Sequence, residues 1–183
     1  MISGSLRHGS TNTAVLLTAA ALAPDGVTTA LYDGMANLPH FNPDDDREGA
    51  PVSPPVADLR ERITAADVLL ICTPEYAGAL PGALKNLLEW TGGDCSTYRK
   101  QIAWINASGA AAPTGGADAH DSLRKVLGYV HAHIIEEACA RIPVARQAIG
   151  PDGRIAEPAT RDQIARVLDV IARYVREQAA RPG

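Results

Sequence analysis

A polar segment close to the N-terminus has the residue types that hold an anion. It runs from Gly4 through Ser5, Arg7 and Ser10, and a pattern typical of a helix begins directly after it. Hydroxyl groups, backbone amides, an arginine and a helix N-terminus together favour a bound phosphate. Ser10 stands where a triphosphate-binding loop has lysine, and the G-x-G-x-x-G pattern of dinucleotide-binding turns is absent. The segment therefore predicts a monophosphate site, and the alternative is a polar helix cap in a surface turn.

The elements that must position this segment begin with strands. Runs of apolar and β-branched residues at 27–32, 68–72 and 102–105 predict three of them, and another is expected near 133–137, where the chain must return to the sheet. Continuous apolar runs are typical of strands buried on both faces, as in a parallel sheet. Ligands of such sheets bind beyond the carboxyl ends of the strands, so the segments that follow each strand are the candidate site.

Helices are predicted between the strands. Apolar residues recur at helical spacing after Ser10, after Ser53, after Pro81 and before Val130, and a last helix is opened by Thr160 with Gln163 in capping-box spacing. Five helices alternating with five strands indicate an α/β fold with a doubly wound parallel sheet, which we expect in the order 2-1-3-4-5. One domain over residues 1–183 is expected, because the chain has only 183 residues.

Composition and charge narrow the classes of partner. The net charge is -4 and the sequence pI about 5.7, which favours no polyanion, so no nucleic-acid partner is expected. Three cysteines without a C-x-x-C pair fit neither a disulfide framework nor a zinc site, which favours a reducing cytoplasm. No run approaches the roughly 18 consecutive apolar residues of a membrane span, so no membrane partner is expected.

Three further features have a possible chemical or interface role. His131 and His133 have no further ligand nearby, and the adjacent carboxylates at 44–46 cannot all face one ion, so no metal site is predicted. Cys72 ends an apolar strand and is expected to be a buried small hydrophobe rather than a nucleophile. Trp90 closes a helix with more apolar positions than one core face requires, so we expect it at a subunit interface.

Three segments resemble one known family. Gly4-Ser5-Leu6-Arg7, followed by Ser10 and Asn12, is similar to the phosphate loop of the NADPH-dependent FMN reductase family, whose fold is flavodoxin-like. The segment at 38–44 is similar to the one that follows the second strand of that family. The segment at 74–86, Pro-Glu-Tyr-Ala-Gly-Ala-Leu-Pro-Gly-Ala-Leu-Lys-Asn, resembles the family's flavin loop and the helix it opens. The match runs in order from Met1 to about Val130.

The resemblance implies an FMN-dependent oxidoreductase with NAD(P)H as co-substrate. Its acceptor would be a quinone, an azo compound, a metal oxyanion or free flavin, reduced in a ping-pong reaction that requires no catalytic side chain. A homodimer or tetramer is also implied. By the family's pattern the FMN phosphate would be held by Ser5, Arg7, Ser10, Asn12 and Thr13. The flavin ring would face the backbone of Pro74, Glu75, Tyr76 and Ala77, which Gly78 follows without a bulky side chain, and the third loop would contribute Ser108 and Gly109. The family's third loop is usually glycine-rich, whereas this chain has Ala110 and Ala111 at the expected glycines.

Two other functions remain open at this point. One is an electron-transfer flavoprotein that serves a protein partner, and the other is a binding module that keeps the fold without flavin. The first strand is also expected to be short, because only Met1 to Ser3 precede the phosphate loop, whereas strands normally have about 5 to 6 residues. We therefore expect either that the natural chain begins upstream with an apolar run, or that FMN is held loosely and serves partly as a substrate.

Overall fold

A parallel sheet forms the centre of the computed structural model, which describes residues 1–109 and 112–180. Its strands are β1 (Ile2–Ser3), β2 (Val68–Cys72), β3 (Gln101–Asn106), β4 (His133–Ile134) and β5 (Ala140–Arg141). β1 pairs with β2, β2 pairs with β3, and β3 pairs with both β4 and β5. The register places Ile2 opposite Ile71 and Leu70 opposite Ala103.

The expected strand at 27–32 forms only one bridge of a ladder. Tyr32 pairs in parallel with Ile2, and its backbone N–H donates to the carbonyl of Met1 at 2.9 Å. The segment is not a regular strand, because its neighbour β1 has only two residues with which it could pair. Its position beside β1 nevertheless makes the order of segments agree with the predicted 2-1-3-4-5.

The expected strand at 133–137 is also different in the structure. Only His133–Ile134 of this segment forms a strand, β4; a 3₁₀ turn at Glu136–Ala138 follows, and pairing with β3 resumes at β5. Ile135 and Ala138, at most 1% exposed, both pack into the same core cluster. Residues three apart lie on one side of a 3₁₀ turn, so this turn buries both side chains where a continuous strand would turn one of them away.

Helices cover both faces of the sheet. They are α1 (Thr11–Ala21), α2 (Pro54–Ala65), α3 (Gly82–Glu89), α4 (Ala117–Tyr129) and α5 (Pro158–Ala179). Leu70 and Cys72 of β2 pack with α1 and α5 in one buried cluster, whereas Leu69 and Ile71 pack with α2, α3 and α4 in the other. This alternation follows from the period of two along a strand. It confirms the predicted α/β fold with a sheet buried on both faces.

Helix starts agree with the sequence in part. The side chain of Ser10 caps α1, and α2 begins at Pro54 after Ser53, as predicted. The predicted last helix is present as α5, but its predicted start at Thr160 was wrong, because the helix begins at Pro158, whose ring restricts φ to a value suited to the first helical position. The Thr160 hydroxyl donates to the carboxylate of Glu157, the residue before the helix, at 2.5 Å. The expected capping box would instead have paired Thr160 with Gln163, one turn later.

Trp90 lies in the core instead of at a subunit interface. It is 1% exposed, and its indole Nε1 donates to the carbonyl of Pro39 at 2.9 Å. Phe41 contacts the indole edge-on, with the ring centroids 5.1 Å apart. The interface prediction was wrong because the segment after residue 38 folds over the end of α3 and covers the apolar side chain.

Candidate active site at the carboxyl edge of the sheet

Three loops meet where β1, β2 and β3 end. We call them the phosphate loop (residues 4–10), the flavin loop (73–79) and the third loop (107–116). Because the three strands are parallel neighbours, their carboxyl ends lie at one edge of the sheet. A cavity of about 520 Å³, lined by residues such as Met1, Tyr32 and Val68, lies at the opposite edge and shares no lining residue with these loops.

The phosphate loop packs directly on the flavin loop at Gly4. The Gly4 N–H donates to the carbonyl of Cys72 at 2.9 Å and extends the pairing of β1 with β2 by one residue. A Cβ at position 4 would lie 2.1 Å from the Thr73 hydroxyl oxygen, so a side chain there would force one of the two loops to shift. Glycine at position 4 therefore sets how closely the two loops approach.

The donors of the phosphate loop suit an anion. Among the described residues, the Arg7 side chain forms no ion pair or hydrogen bond, and the backbone N–H groups of Thr11 and Thr13 have no protein acceptor. Ser10 Oγ accepts from the Asn12 N–H at 3.2 Å, and Ser5 Oγ accepts from the Arg7 N–H at 3.3 Å. The first turn of α1 has no acidic residue. An exposed arginine beside free amides at a helix N-terminus is chemically suited to a phosphomonoester.

Two of the predicted phosphate ligands have side-chain partners inside the protein. Asn12 is buried, and its Oδ1 accepts from the thiol of Cys72 at 3.3 Å. Burial raises the pKa of this thiol, which therefore stays protonated and can donate. The Thr13 hydroxyl shares a hydrogen bond of 2.8 Å with Ser3 on β1. Thr13 thus has its backbone amide left for a ligand.

The flavin loop contains a tight two-residue turn. Tyr76 and Ala79 exchange two backbone hydrogen bonds of 3.0 and 3.1 Å, and between them Ala77 and Gly78 have φ values of 52° and 71°. Two consecutive residues with positive φ are typical of tight hairpin turns. Tyr76 is 50% exposed, so an aromatic ring lies on the surface of the site. Pro74 lies half-buried below the turn.

Glu75 has a side-chain role that the sequence did not indicate. Its Oε2 accepts from the Thr114 hydroxyl at 2.6 Å and from the Ala119 N–H at 3.3 Å. Glu75 precedes Thr114 by 39 residues and Ala119 by 44, so no local pattern could have shown this contact. The same region contains His120, whose ring lies 5.7 Å from that of Trp104 and whose pKa is lowered to about 4, chiefly by burial.

The third loop is folded around Asn106, the last residue of β3. Asn106 Oδ1 accepts from the Ser108 N–H and its Nδ2 donates to the carbonyl of Gly115, both at 2.9 Å. A Cβ on Gly116 would lie 2.4 Å from the Ser108 hydroxyl oxygen, so this position also requires glycine. Ser108 and Gly109 are half-buried at the edge of the site. Positions 110 and 111, where the family's glycines were expected, lie outside the described residues.

The model of a family described as NADPH-dependent FMN reductase matches residues 1–146. The chain belongs to this family. It is accordingly an NAD(P)H-dependent oxidoreductase of flavodoxin-like fold, and FMN is its cofactor.

Individual members of the NADPH-dependent FMN reductase family are similar over nearly the whole chain. An NAD(P)H-dependent FMN reductase of Pseudomonas aeruginosa is 35% identical, with 96% of this chain and 93% of the relative covered. A 2-hydroxy-1,4-benzoquinone reductase of a Burkholderia species is 31% identical, with 97% and 96% covered. Among solved structures, the NAD(P)H:acceptor oxidoreductase FerB of Paracoccus denitrificans superposes with a TM-score of 0.81 at 26% identity, with 96% and 95% covered.

Proposed function

We propose that this enzyme reduces a small acceptor with NAD(P)H as the reductant, and a quinone is the acceptor class that we propose first. The overall reaction would convert NAD(P)H, a proton and a quinone into NAD(P)⁺ and a hydroquinone, so that two electrons and two protons reach the acceptor. FMN, when bound, supplies the hydride chemistry at its N5 atom. Relatives named as quinone reductases support this acceptor class.

The observation that carries the proposal is the donor set of the phosphate loop. Arg7 and the free amides of the first turn of α1 would hold the phosphate of FMN, together with Ser5, Ser10 and Asn12. The loop lacks the G-x-G-x-x-G pattern with which a dinucleotide-binding turn holds a pyrophosphate, and this favours FMN over FAD. Release of the flavin by heat and its identification by chromatography tests the assignment, and FAD as the main species would overturn it.

The flavin loop and the third loop would bind the ring portion. The backbone of Pro74 to Gly78 would face the isoalloxazine, because the tight turn presents amides with little side-chain obstruction at Ala77 and Gly78. Ser108 and Gly109 would approach from the neighbouring loop. These residues would orient and exclude water, and no side chain would have to act as an acid or base toward NAD(P)H.

NAD(P)H and the acceptor would occupy one position above the ring in turn. The reaction is therefore expected to follow ping-pong kinetics. Initial rates with NAD(P)H and a benzoquinone, both varied, would give parallel double-reciprocal lines. Intersecting lines would mean that both substrates bind together and would contradict the single shared position.

The whole chain would act as one FMN-binding domain in the cytoplasm, assembled as a homodimer or tetramer. Leu6 and Tyr76 are 57% and 50% exposed on adjacent loops of the site, and these apolar side chains suit contact with a second subunit or with an acceptor. A monomeric mass by light scattering at micromolar concentration would exclude the assembly. Within the described residues, no helix is both long and apolar enough to cross a membrane.

A further inference from the structure

We infer that the Glu75 carboxylate is a positioning residue that holds the third loop at a fixed distance from the flavin loop. The inference rests on the proposed FMN site, since these two loops would contact the ring. It concerns the side chain of Glu75, whereas the proposed FMN contact uses its backbone.

The geometry begins with two donors that share one carboxylate oxygen. Thr114 in the third loop donates its hydroxyl hydrogen to Oε2 at 2.6 Å, and Ala119 in α4 donates its backbone N–H to the same atom at 3.3 Å. Thr114 Oγ1 in turn accepts from the Gly116 N–H at 3.2 Å. One side chain of the flavin loop therefore fixes both the third loop and the helix that follows it.

The helix needs this partner because it has no cap of its own. α4 begins after Gly116, which is in the left-handed conformation and has no side chain to accept from the first turn. The Ala119 amide is in that first turn, where a carboxylate also interacts favourably with the positive end of the helix. Glu75 thus supplies from a distant part of the chain what a serine or aspartate usually supplies locally.

No other hydrogen bond in the described part of the chain joins the flavin loop to the third loop or to the start of α4. The phosphate loop, by contrast, is held against Thr73 by the close packing at Gly4. Loss of the Glu75 side chain should therefore release the third loop while the other two loops stay together. FMN would still bind through its phosphate, but with a less ordered ring site.

Four variants and one control separate this role from general stabilisation. Glu75→Ala removes both hydrogen bonds, Thr114→Val removes one with little change of shape, and Glu75→Gln and Thr114→Ser keep an acceptor or donor at the same place. Glu61→Ala is the control, because Glu61 is exposed on α2 and its neighbours Arg62 and Ile63 line the cavity at the opposite edge of the sheet. FMN dissociation constants are measured by titrating FMN fluorescence with apoprotein. Hydrogen exchange of the apoprotein is followed over residues 112–119.

We expect FMN affinity to fall about tenfold or more in Glu75→Ala and by a smaller factor in Thr114→Val, since each change removes a charge-assisted hydrogen bond. Glu75→Gln and Thr114→Ser should stay within about threefold of wild type, because both keep the hydrogen bonds. Exchange should accelerate over 112–119 in Glu75→Ala and not over α1.

Three results would overturn the inference. Unchanged affinity and exchange in Glu75→Ala would show that the link has no positioning effect. Equal losses in Glu75→Gln and Glu75→Ala would assign the effect to charge, and faster exchange throughout the protein would assign it to global stability. If the wild type itself binds no FMN, the proposed function fails, and Glu75 cannot position FMN. The hydrogen-exchange data would still show separately whether Glu75 orders the third loop.

Discussion

Replacement of Gly4 by alanine should loosen the contact between the phosphate loop and the flavin loop. The added Cβ would lie 2.1 Å from Thr73 Oγ1, 2.6 Å from Thr73 Cβ and 3.1 Å from Leu84 Cδ2. The leucine methyl can move, but Thr73 is 1% exposed and follows β2 directly. The backbone at one of the two loops must therefore shift.

The size of the effect follows from overpacking in a buried site, which costs about 1–3 kcal/mol of the free energy of unfolding. For a chain of this length, each kcal/mol lowers the melting temperature by roughly 2–4 °C, so Gly4→Ala should melt about 2–12 °C below wild type. Gly82→Ala is the matched control, because a Cβ at Gly82 meets nothing within 4 Å and alanine favours the helix.

Thermal unfolding of the apoprotein by circular dichroism is the assay, and FMN titration is the second measurement. A double variant, Gly4→Ala with Thr73→Gly, removes the clashing side chain and should recover part of the loss relative to Thr73→Gly alone. If Gly4→Ala melts with the wild type and binds FMN equally well, the loops do not depend on this contact. A lack of coupling in the double variant would place the cause elsewhere than Thr73.

Three other substitutions test separate parts of the site. Arg7→Ala should weaken FMN binding by about 1–3 kcal/mol, since it removes a cation whose side chain has no hydrogen-bond or ion-pair partner among the described residues, and equal affinity by fluorescence titration would exclude Arg7 as a phosphate ligand. Ala77→Gly should raise the melting temperature of the apoprotein, because the left-handed conformation costs a non-glycine residue about 1–2 kcal/mol; a lower value would show that the turn is not strained. His120 has a folded-state pKa of about 4 against an ordinary 6.5, so the unfolded chain binds more protons between these values and wild type should lose stability as the pH falls from 6.5 to 4. His120→Gln should lose less over that range in denaturant titrations, and identical pH slopes would rule out this source.

Local pattern sufficed for the parts of the fold that are buried on both faces. The runs that became β2 and β3 were recognisable because an apolar stretch bounded by polar residues has few other places to lie in an α/β domain. The segment at 27–32 also has residues that favour strands, yet it forms one bridge because strand formation also depends on the length of the neighbouring strand. The division into β4 and β5 likewise depends on how Ile135 and Ala138 reach the core.

The features of the site also differ in whether they depend on local sequence or on residues distant in the chain. The resemblance predicts three loops as the FMN site, and the structure places them after neighbouring parallel strands. Ser10 as a helix cap is a local feature that could be predicted. The carboxylate of Glu75, the fold of the third loop around Asn106 and the burial of Trp90 depend on residues that are distant in sequence. A single sequence has no signal for such contacts, because each partner alone is an ordinary polar or aromatic residue.

The burial of Cys72 also affects the chemical durability of the enzyme. Quinones are electrophiles, and thiolates are the form of cysteine that attacks them. Cys72 lies directly beneath the phosphate loop, but it is fully buried and burial keeps its thiol protonated. If the acceptor is the proposed quinone, it would therefore meet no nucleophilic sulfur at this position, and the enzyme would not be alkylated there.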